Sequence, residues 1–151
     1  MDKNWYKNQL ADQDIRLTES RELVLSVLTA NQQKHLTVEE IYMLAHGENP
    51  SIGMATVYRT ADLLVKHGIV QKFEFGEGKA RYELSHRPDE KGHHHHLVCK
   101  KCKKIINYDD FPGEETAFLQ QVEEGLSIRY GFEVEDHIIQ FYGYCQDCRA
   151  V

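Results

Sequence analysis

The sequence has neither a membrane span nor a secretory signal among its 151 residues. No apolar run approaches the roughly 18 residues that a membrane helix requires. The opening residues, MDKNWYKNQL, lack the basic segment followed by an apolar segment that marks a signal peptide. We therefore expect a cytoplasmic protein that has no membrane partner.

Basic residues are also scarce, because 18 Lys and Arg face 24 Asp and Glu, for a net charge of −6. Duplex DNA favours basic proteins, so this average counts against a nucleic-acid role. Most of the surplus acid lies after residue 84, however. Local basic clusters in the N-terminal part can still meet phosphate.

Two motifs of zinc enzymes are missing from the sequence, namely H-E-x-x-H and H-x-E…P-C-x-x-C. No general base is evident either. Three histidines and a water could still form a catalytic centre, so a zinc-dependent hydrolase remains an alternative from another class. A metal-buffering or protein-interaction module is a second alternative.

The pattern between Thr18 and Gly68 is helical. Thr18 fits an N-cap, Thr37 and Glu40 form a capping box, and a third helix begins after Pro50 and ends at Gly68. Two strand-like runs, 69–75 and 80–84, then flank a glycine turn. This order fits a winged helix-turn-helix, and it fits equally well a small helical core under a hairpin, which would bury the same residues. The apolar stripes of the three helices comprise Val24, Val27, Leu28, Val38, Ile41, Leu44, Ala45, Val57, Ala61, Leu64 and Val65.

The composition changes at residues 85–92 (SHRPDEKG), a polar segment that reads as a linker. The composition therefore divides the chain into a first part over 1–84, a linker over 85–92 and a last part over 93–151. In the last of these, 96–99, 103–108 and 132–142 have strand character. Residues 114–127 look helical, with Phe118, Val122 and Leu126 on one face. This half has little core for its length, which favours a partner chain or a bound metal.

The four cysteines form two C-x-x-C pairs, Cys99 with Cys102 and Cys145 with Cys148. Each such turn directs two thiolates at one ion, so two turns complete a closed tetrahedral zinc site. Disulfides and a redox C-x-x-C fit less well. A cytosolic chain rarely keeps disulfides, and neither pair follows a thioredoxin-like pattern. The spacing therefore predicts structural Zn²⁺ on four sulfurs.

Four consecutive histidines, His93 to His96, precede the first cysteine pair. On a strand, His94 and His96 share one face while His93 and His95 share the other. Imidazoles two residues apart can bind one ion, so the run could supply two different sites. A solvated polar edge is the alternative interpretation.

Several spaced segments resemble those of the ferric uptake regulator (Fur) family, from about Arg16 to Cys148. HHHHLVCKKC resembles the family's histidine-rich stretch and first zinc pair, and MATVYR resembles its recognition helix. The resemblance implies a homodimeric, metal-responsive repressor of double-stranded operator DNA. It would have an α+β fold with an N-terminal winged helix-turn-helix DNA-binding domain over 1–84 and a hinge over 85–92. A C-terminal α/β metal-binding dimerisation domain with a four-cysteine zinc site would follow over 93–151. Further matching segments are Arg16–Thr18, Arg21, Gly68–Val70 and Tyr142–Cys145.

The resemblance also implies a regulatory divalent metal at the hinge, Fe²⁺ foremost, with Mn²⁺, Zn²⁺ or Ni²⁺ as alternatives. Asn107 occupies the position of a family carboxylate ligand, and a neutral amide oxygen is the weaker ligand. A peroxide- or zinc-sensing member of the same family is an alternative. The expected ligands are His35, Glu83, His94 and His96. Taken alone, His35 would more often be an ordinary loop histidine than a ligand.

A further metal site of many family members maps onto His93, Glu114 and His137, with His95 where an aspartate is common. His137 could instead be a hydrogen-bonded strand residue, and Glu114 could simply favour a helix N-terminus. The residues expected to contact DNA could likewise be ordinary helix surface. They are Arg16, Arg21, Thr56, Tyr58 and Arg59.

Overall fold

A computed structural model describes residues 3–32, 34–85, 95–108, 113–135 and 137–149. The chain divides into two compact units, Met1–Lys91 and Gly92–Val151. None of the described helices is long and apolar enough to cross a membrane. The first unit contains α1 (Lys3–Asp12), α2 (Glu19–Ala30), β1 (Leu36–Thr37), α3 (Val38–Glu48), α4 (Met54–Lys66), β2 (Val70–Glu74) and β3 (Ala80–Leu84). The second contains β4 (His95–Cys99), β5 (Ile105–Tyr108), α5 (Gly113–Tyr130), β6 (Gln140–Gly143) and α6 (Gln146–Arg149).

The three predicted helices of the first unit are confirmed, together with their caps. Thr18 Oγ1 accepts the Arg21 N–H, and Thr37 Oγ1 accepts the Glu40 N–H at 3.2 Å. The Glu40 carboxylate accepts the Thr37 N–H at 2.7 Å in return, which completes the capping box. After α4 the chain turns at Gly68, whose φ of +69° lies in the left-handed region that favours glycine.

Two members of the predicted apolar stripes are not buried. Leu44 is 43% exposed, because it lies about 120° around α3 from Val38, while Ile41 and Ala45 share the inward face. Val65 is half-buried. The remaining members of the stripes lie in the core, and so do two residues of α1, a helix that the sequence analysis did not predict. Those two residues are Tyr6 and Leu10, both 0% exposed.

The wing hairpin is confirmed, and it belongs to a three-stranded sheet of order β1-β3-β2. β2 and β3 are antiparallel, and Gly76 and Gly78 adopt positive φ in the turn between them. The short β1 pairs with β3, with Leu36 opposite Tyr82 and Thr37 opposite Arg81. The sequence analysis missed this strand.

The second unit is built on a three-stranded sheet of order β5-β4-β6. β4 is antiparallel to β5 and parallel to β6. The predicted strand over 132–142 is wrong for most of its length, because the described strand begins only at Gln140. The predicted strand over 103–108 is shorter as well, since Lys103 lies in a turn with a φ of +63°.

The second unit leaves most of its apolar side chains at the surface. Among its described residues, Val98 and Cys99 are the buried hydrophobic side chains, and α5 buries none. Phe118, Val122 and Leu126 follow one face of α5, as predicted, and are 40–63% exposed. This exposed face agrees with the expectation of a partner chain.

Candidate metal centres and DNA-binding surface

The four cysteines lie together in the second unit. Their sulfur atoms all lie within 4.8 Å of one another, and Cys102 Sγ is 3.6 Å from Cys145 Sγ. A tetrahedral zinc with Zn–S bonds of about 2.3 Å requires sulfurs about 3.8 Å apart. A disulfide requires about 2.0 Å, and none of the four cysteines forms one. The convergence of all four sulfurs therefore fits the predicted metal site.

Parallel pairing of β4 with β6 brings the two C-x-x-C segments together. Cys99 ends β4 opposite Gly143 of β6, so the segments that follow these two strands leave the sheet at the same end. The turns are fixed by main-chain hydrogen bonds, from Lys103 N–H to the Cys99 carbonyl and from Cys148 N–H to the Cys145 carbonyl. A 43-residue separation in sequence thereby becomes one cluster.

The environment of the sulfurs shifts the pKa values of two of the thiols in opposite directions. The backbone N–H of Cys145, 3.4 Å from Cys99 Sγ, lowers the pKa of the Cys99 thiol to about 6. Burial raises the pKa of the Cys148 thiol to about 12. A divalent cation binds thiolates, so its charge would favour deprotonation of the whole cluster.

A histidine and a glutamate form a buried contact in the first unit. His35 precedes β1 and Glu83 lies in β3, and His35 Nε2 is 3.1 Å from Glu83 Oε2. The two residues are 7% and 2% exposed. An imidazole nitrogen and a carboxylate oxygen at this separation can bind one divalent cation, and a simple hydrogen bond is the other use of the contact.

Of the predicted regulatory residues in the second unit, the structure describes His96 and Asn107. His96 is buried in that strand, and Asn107 lies opposite it on β5. His93 and His94 lie outside the described residues, so their predicted roles stay predictions.

The predicted additional site differs in its carboxylates. The His95 ring lies 5.9 Å from that of His137. Glu114 is exposed, and its neighbour Glu115 approaches His95 instead. Glu115 Oε1 lies 3.6 Å from His95 Nδ1. Glu123 contacts His137 Nδ1 at 2.6 Å. The sequence analysis missed both of these glutamates.

The residues predicted to contact DNA lie at the surface of the first unit. On α4, Tyr58 and Arg59 are exposed and Thr56 is half-buried, while Val57 faces the core. Arg16 is exposed before α2, and the Arg21 guanidinium donates to its carbonyl at 2.7 Å. Arg21 thus supports the segment that carries Arg16.

Comparison with known proteins decides what this arrangement belongs to. The model of the ferric uptake regulator family matches residues 12–142. The chain belongs to this family. A ferric uptake regulation protein of Bacillus subtilis (strain 168) is 39% identical to this Fur-family chain over 145 residues, covering 95% of the chain and 92% of the relative.

Solved structures agree. The ferric uptake regulator of Vibrio cholerae, described as showing a rearrangement of its DNA-binding domains, has a TM-score of 0.72 at 30% identity. It covers 91% of this chain and 98% of its own. A zinc-bound manganese uptake regulator has a TM-score of 0.68 at 28% identity and covers 93% of this chain and 98% of its own.

Family membership confirms the predicted fold class, with an N-terminal winged-helix DNA-binding domain and a C-terminal dimerisation domain. It also makes the chain a metal-responsive transcriptional regulator. Fur proteins are transcription regulators and not enzymes, so the zinc-hydrolase alternative is wrong.

Proposed function

We propose that this Fur-family chain represses transcription as a homodimer that binds operator DNA when a divalent metal, Fe²⁺ foremost, occupies a hinge site. The proposed ligands are His35 and Glu83 from the first unit and His94 and His96 from the second. An ion held by both units would fix the angle between them. The rearranged DNA-binding domains described for the Vibrio cholerae relative support such a mechanism.

The buried contact between His35 and Glu83 is the observation that carries the proposal. Burial of an ionisable pair is costly unless each partner is well satisfied, and a metal ion satisfies both. A carboxylate with imidazole ligands suits Fe²⁺ or Zn²⁺, so geometry must select between them. Asn107 in place of a carboxylate leaves one negative charge rather than two around the ion. A zinc- or peroxide-sensing regulator is the alternative function.

A second ion, structural Zn²⁺, is proposed at Cys99, Cys102, Cys145 and Cys148. Closed four-sulfur sites leave no position for a substrate, so this ion would stabilise the fold and not act as the sensor. The sulfur separations described above support it. A further site at His95 and His137 would draw its oxygens from Glu115 and Glu123, with His93 as the remaining candidate.

DNA contact is proposed for α4 and for the segment before α2. Arg59 would reach a phosphate or a guanine edge, and Tyr58 would pack on a thymine methyl. Arg16 and Arg21 would contact phosphate. The net negative charge is compatible with this surface, because four of the six net negative charges lie after residue 84.

The deciding experiment titrates DNA binding with Fe²⁺, Mn²⁺, Zn²⁺ and Ni²⁺, each at a buffered free concentration, on a duplex selected by the protein itself. We expect Fe²⁺ to raise DNA affinity by about 100-fold, a coupling within the usual allosteric range. His96→Ala should abolish the response while the four-cysteine zinc and the dimer survive. An unchanged response in His96→Ala would move the sensor to the site around His95 and His137.

A further inference from the structure

Arg81 lies at a junction of three parts of the DNA-binding unit. Its Nη1 donates to the His35 carbonyl at 3.0 Å, and its Nη2 donates to Glu77 Oε2 at 2.8 Å. Nη1 also lies 3.7 Å from Glu40 Oε2. Glu77 is in the wing turn, and Glu40 belongs to the capping box that begins α3. One guanidinium therefore contacts the main chain of the proposed ligand His35, the wing and the first turn of α3.

Strand register explains why Arg81 can reach these groups. Leu36 faces Tyr82 in the β1–β3 pair, so one step further along the same register His35 faces Glu83. Arg81 lies two residues before Glu83 on β3, and side chains two residues apart share one face of a strand. The proposed ligand Glu83 and Arg81 consequently project from the same face.

The wing also contacts His35 from its other strand. The Phe75 ring lies 5.5 Å from the imidazole and the Phe73 ring 6.1 Å from it, both edge-on. Both phenylalanines are nearly fully buried. His35 is thus held through its ring by the β2 side of the wing and through its carbonyl by Arg81. Movement of His35 without movement of the wing would break one set of contacts or the other.

The chemistry of this junction requires arginine. A planar guanidinium with five donors can bond a carbonyl and a carboxylate in different directions at the same time. A lysine ammonium in its place would keep the charge but lose the fixed fork. The Arg81 and Glu77 side chains are 18% and 10% exposed, so their ion pair is partly shielded from water.

We propose that Arg81 is a positioning residue that transmits metal occupancy at His35 to the wing and to the start of α3. This inference rests on the proposed regulatory role of His35. A ligand can shift a conformational equilibrium only through different free energies of binding to the two shapes. An ion that fixes the His35 ring would also restrict its carbonyl, and Arg81 would pass that restriction to Glu77 and Glu40.

The test compares the full-length, zinc-containing protein with Arg81→Lys and Glu77→Gln. The measured quantity is the ratio of the DNA dissociation constants without and with Fe²⁺, on the duplex that the parent protein selects. Each variant should lower this ratio by about tenfold, within the range for residues along a coupling path. Fe²⁺ affinity should stay within about threefold of the parent, since the ligand side chains are unchanged. The double variant should lose no more than one single variant does, because both remove the same contact.

Lys79→Gln is the matched control, because it removes one exposed wing charge that Arg81 does not contact. It should weaken DNA binding equally with and without Fe²⁺ and leave the ratio unchanged. A parental ratio in both Arg81→Lys and Glu77→Gln would overturn the inference. A parent protein that shows no metal response would instead overturn the proposed function, so the two failures are distinguishable.

Discussion

Helices α2 and α5 show how differently the two units bury their apolar side chains. The 12-residue α2 buries Val24, Leu25, Val27 and Leu28, each at most 2% exposed. The 18-residue α5 buries none, although Phe118, Val122 and Leu126 align along it. Burial of a leucine side chain contributes about 1.5–3 kcal/mol. The first unit therefore has its own core, whereas the second leaves the apolar face of its long helix exposed, which agrees with a partner chain.

This contrast corresponds to the division of tasks in the family. A DNA-binding unit with a self-sufficient core can move as one body. A dimerisation unit with exposed apolar faces is completed only in the dimer. The following predictions test whether the two units really differ in this way.

The largest expected effect is the loss of the second unit in Cys102→Ser. Structural zinc sites contribute about 10–16 kcal/mol of apparent binding free energy to folding. We expect the variant to lose about one zinc per chain, measured by elemental analysis, and to become monomeric in sedimentation. Lys101→Ser, in the same turn, is the control and should keep both. Complete zinc loss with an intact dimer would contradict the idea that the metal supports this unit.

Truncation of an apolar side chain should affect the stability of the two units differently. The cost should depend on protein concentration only in the second unit. Leu25→Ala should lower the free energy of unfolding by about 2–5 kcal/mol, because Leu25 is fully buried. This cost should not depend on protein concentration. Leu126→Ala should instead lower the melting temperature more at low protein concentration, since we expect the exposed Leu126 side chain to pack against the partner. Equal concentration dependence in calorimetry of the two variants would remove the contrast.

A smaller effect is expected from Arg59→Ala, which tests the first unit as the DNA reader. Operator binding should weaken by about 1–3 kcal/mol if Arg59 makes a bidentate base contact. Metal content and dimerisation should not change, because Arg59 is exposed on α4 and is neither a proposed metal ligand nor part of the dimerisation unit. Lys66→Ala, in the last turn of the same helix, is the matched control. If Arg59→Ala binds like the parent in fluorescence anisotropy, Arg59 is only surface.

The smallest expected effect is a gain in Asn107→Asp. A charged oxygen in place of the amide should tighten regulatory metal binding by about tenfold, a typical effect of a group beside a metal. The metal concentration for half-maximal DNA binding should fall accordingly. The DNA affinity of the protein at saturating metal should stay constant. Asn107→Ala gives the baseline. Identical metal affinities in all three proteins would mean that this side chain is no ligand.

Local signals in the sequence were sufficient for the capped helices and the wing. The capping box of Thr37 and Glu40 and the left-handed Gly68 each have a short-range cause that can be read from neighbouring residues. α1 has no such signal, because its stability comes from burying Tyr6 and Leu10 against the rest of the core. The two-residue β1 is too short for an alternating pattern and exists through its pairing with β3.

The candidate sites show the same limit. Cysteine spacing predicted a cluster that the structure brings together, because two C-x-x-C turns allow few other arrangements. The sequence analysis named Glu114 as the carboxylate near His95, whereas in the structure the adjacent residue Glu115 approaches this imidazole. One residue on a helix is a rotation of about 100°, which decides whether a side chain approaches an imidazole. Helix phase against a distant strand depends on tertiary packing, and sequence spacing does not contain it.

The parallel pairing of β4 and β6 has a consequence for a cleaved chain. An ion on the four sulfurs would act as a reversible crosslink that closes a loop of 43 residues. By analogy with a covalent link, closure of such a loop removes about 4 kcal/mol of chain entropy from the unfolded state. A single proteolytic cut between Cys102 and Cys145 would then leave two fragments that remain associated. They would separate under denaturing conditions only after a chelator has removed the metal.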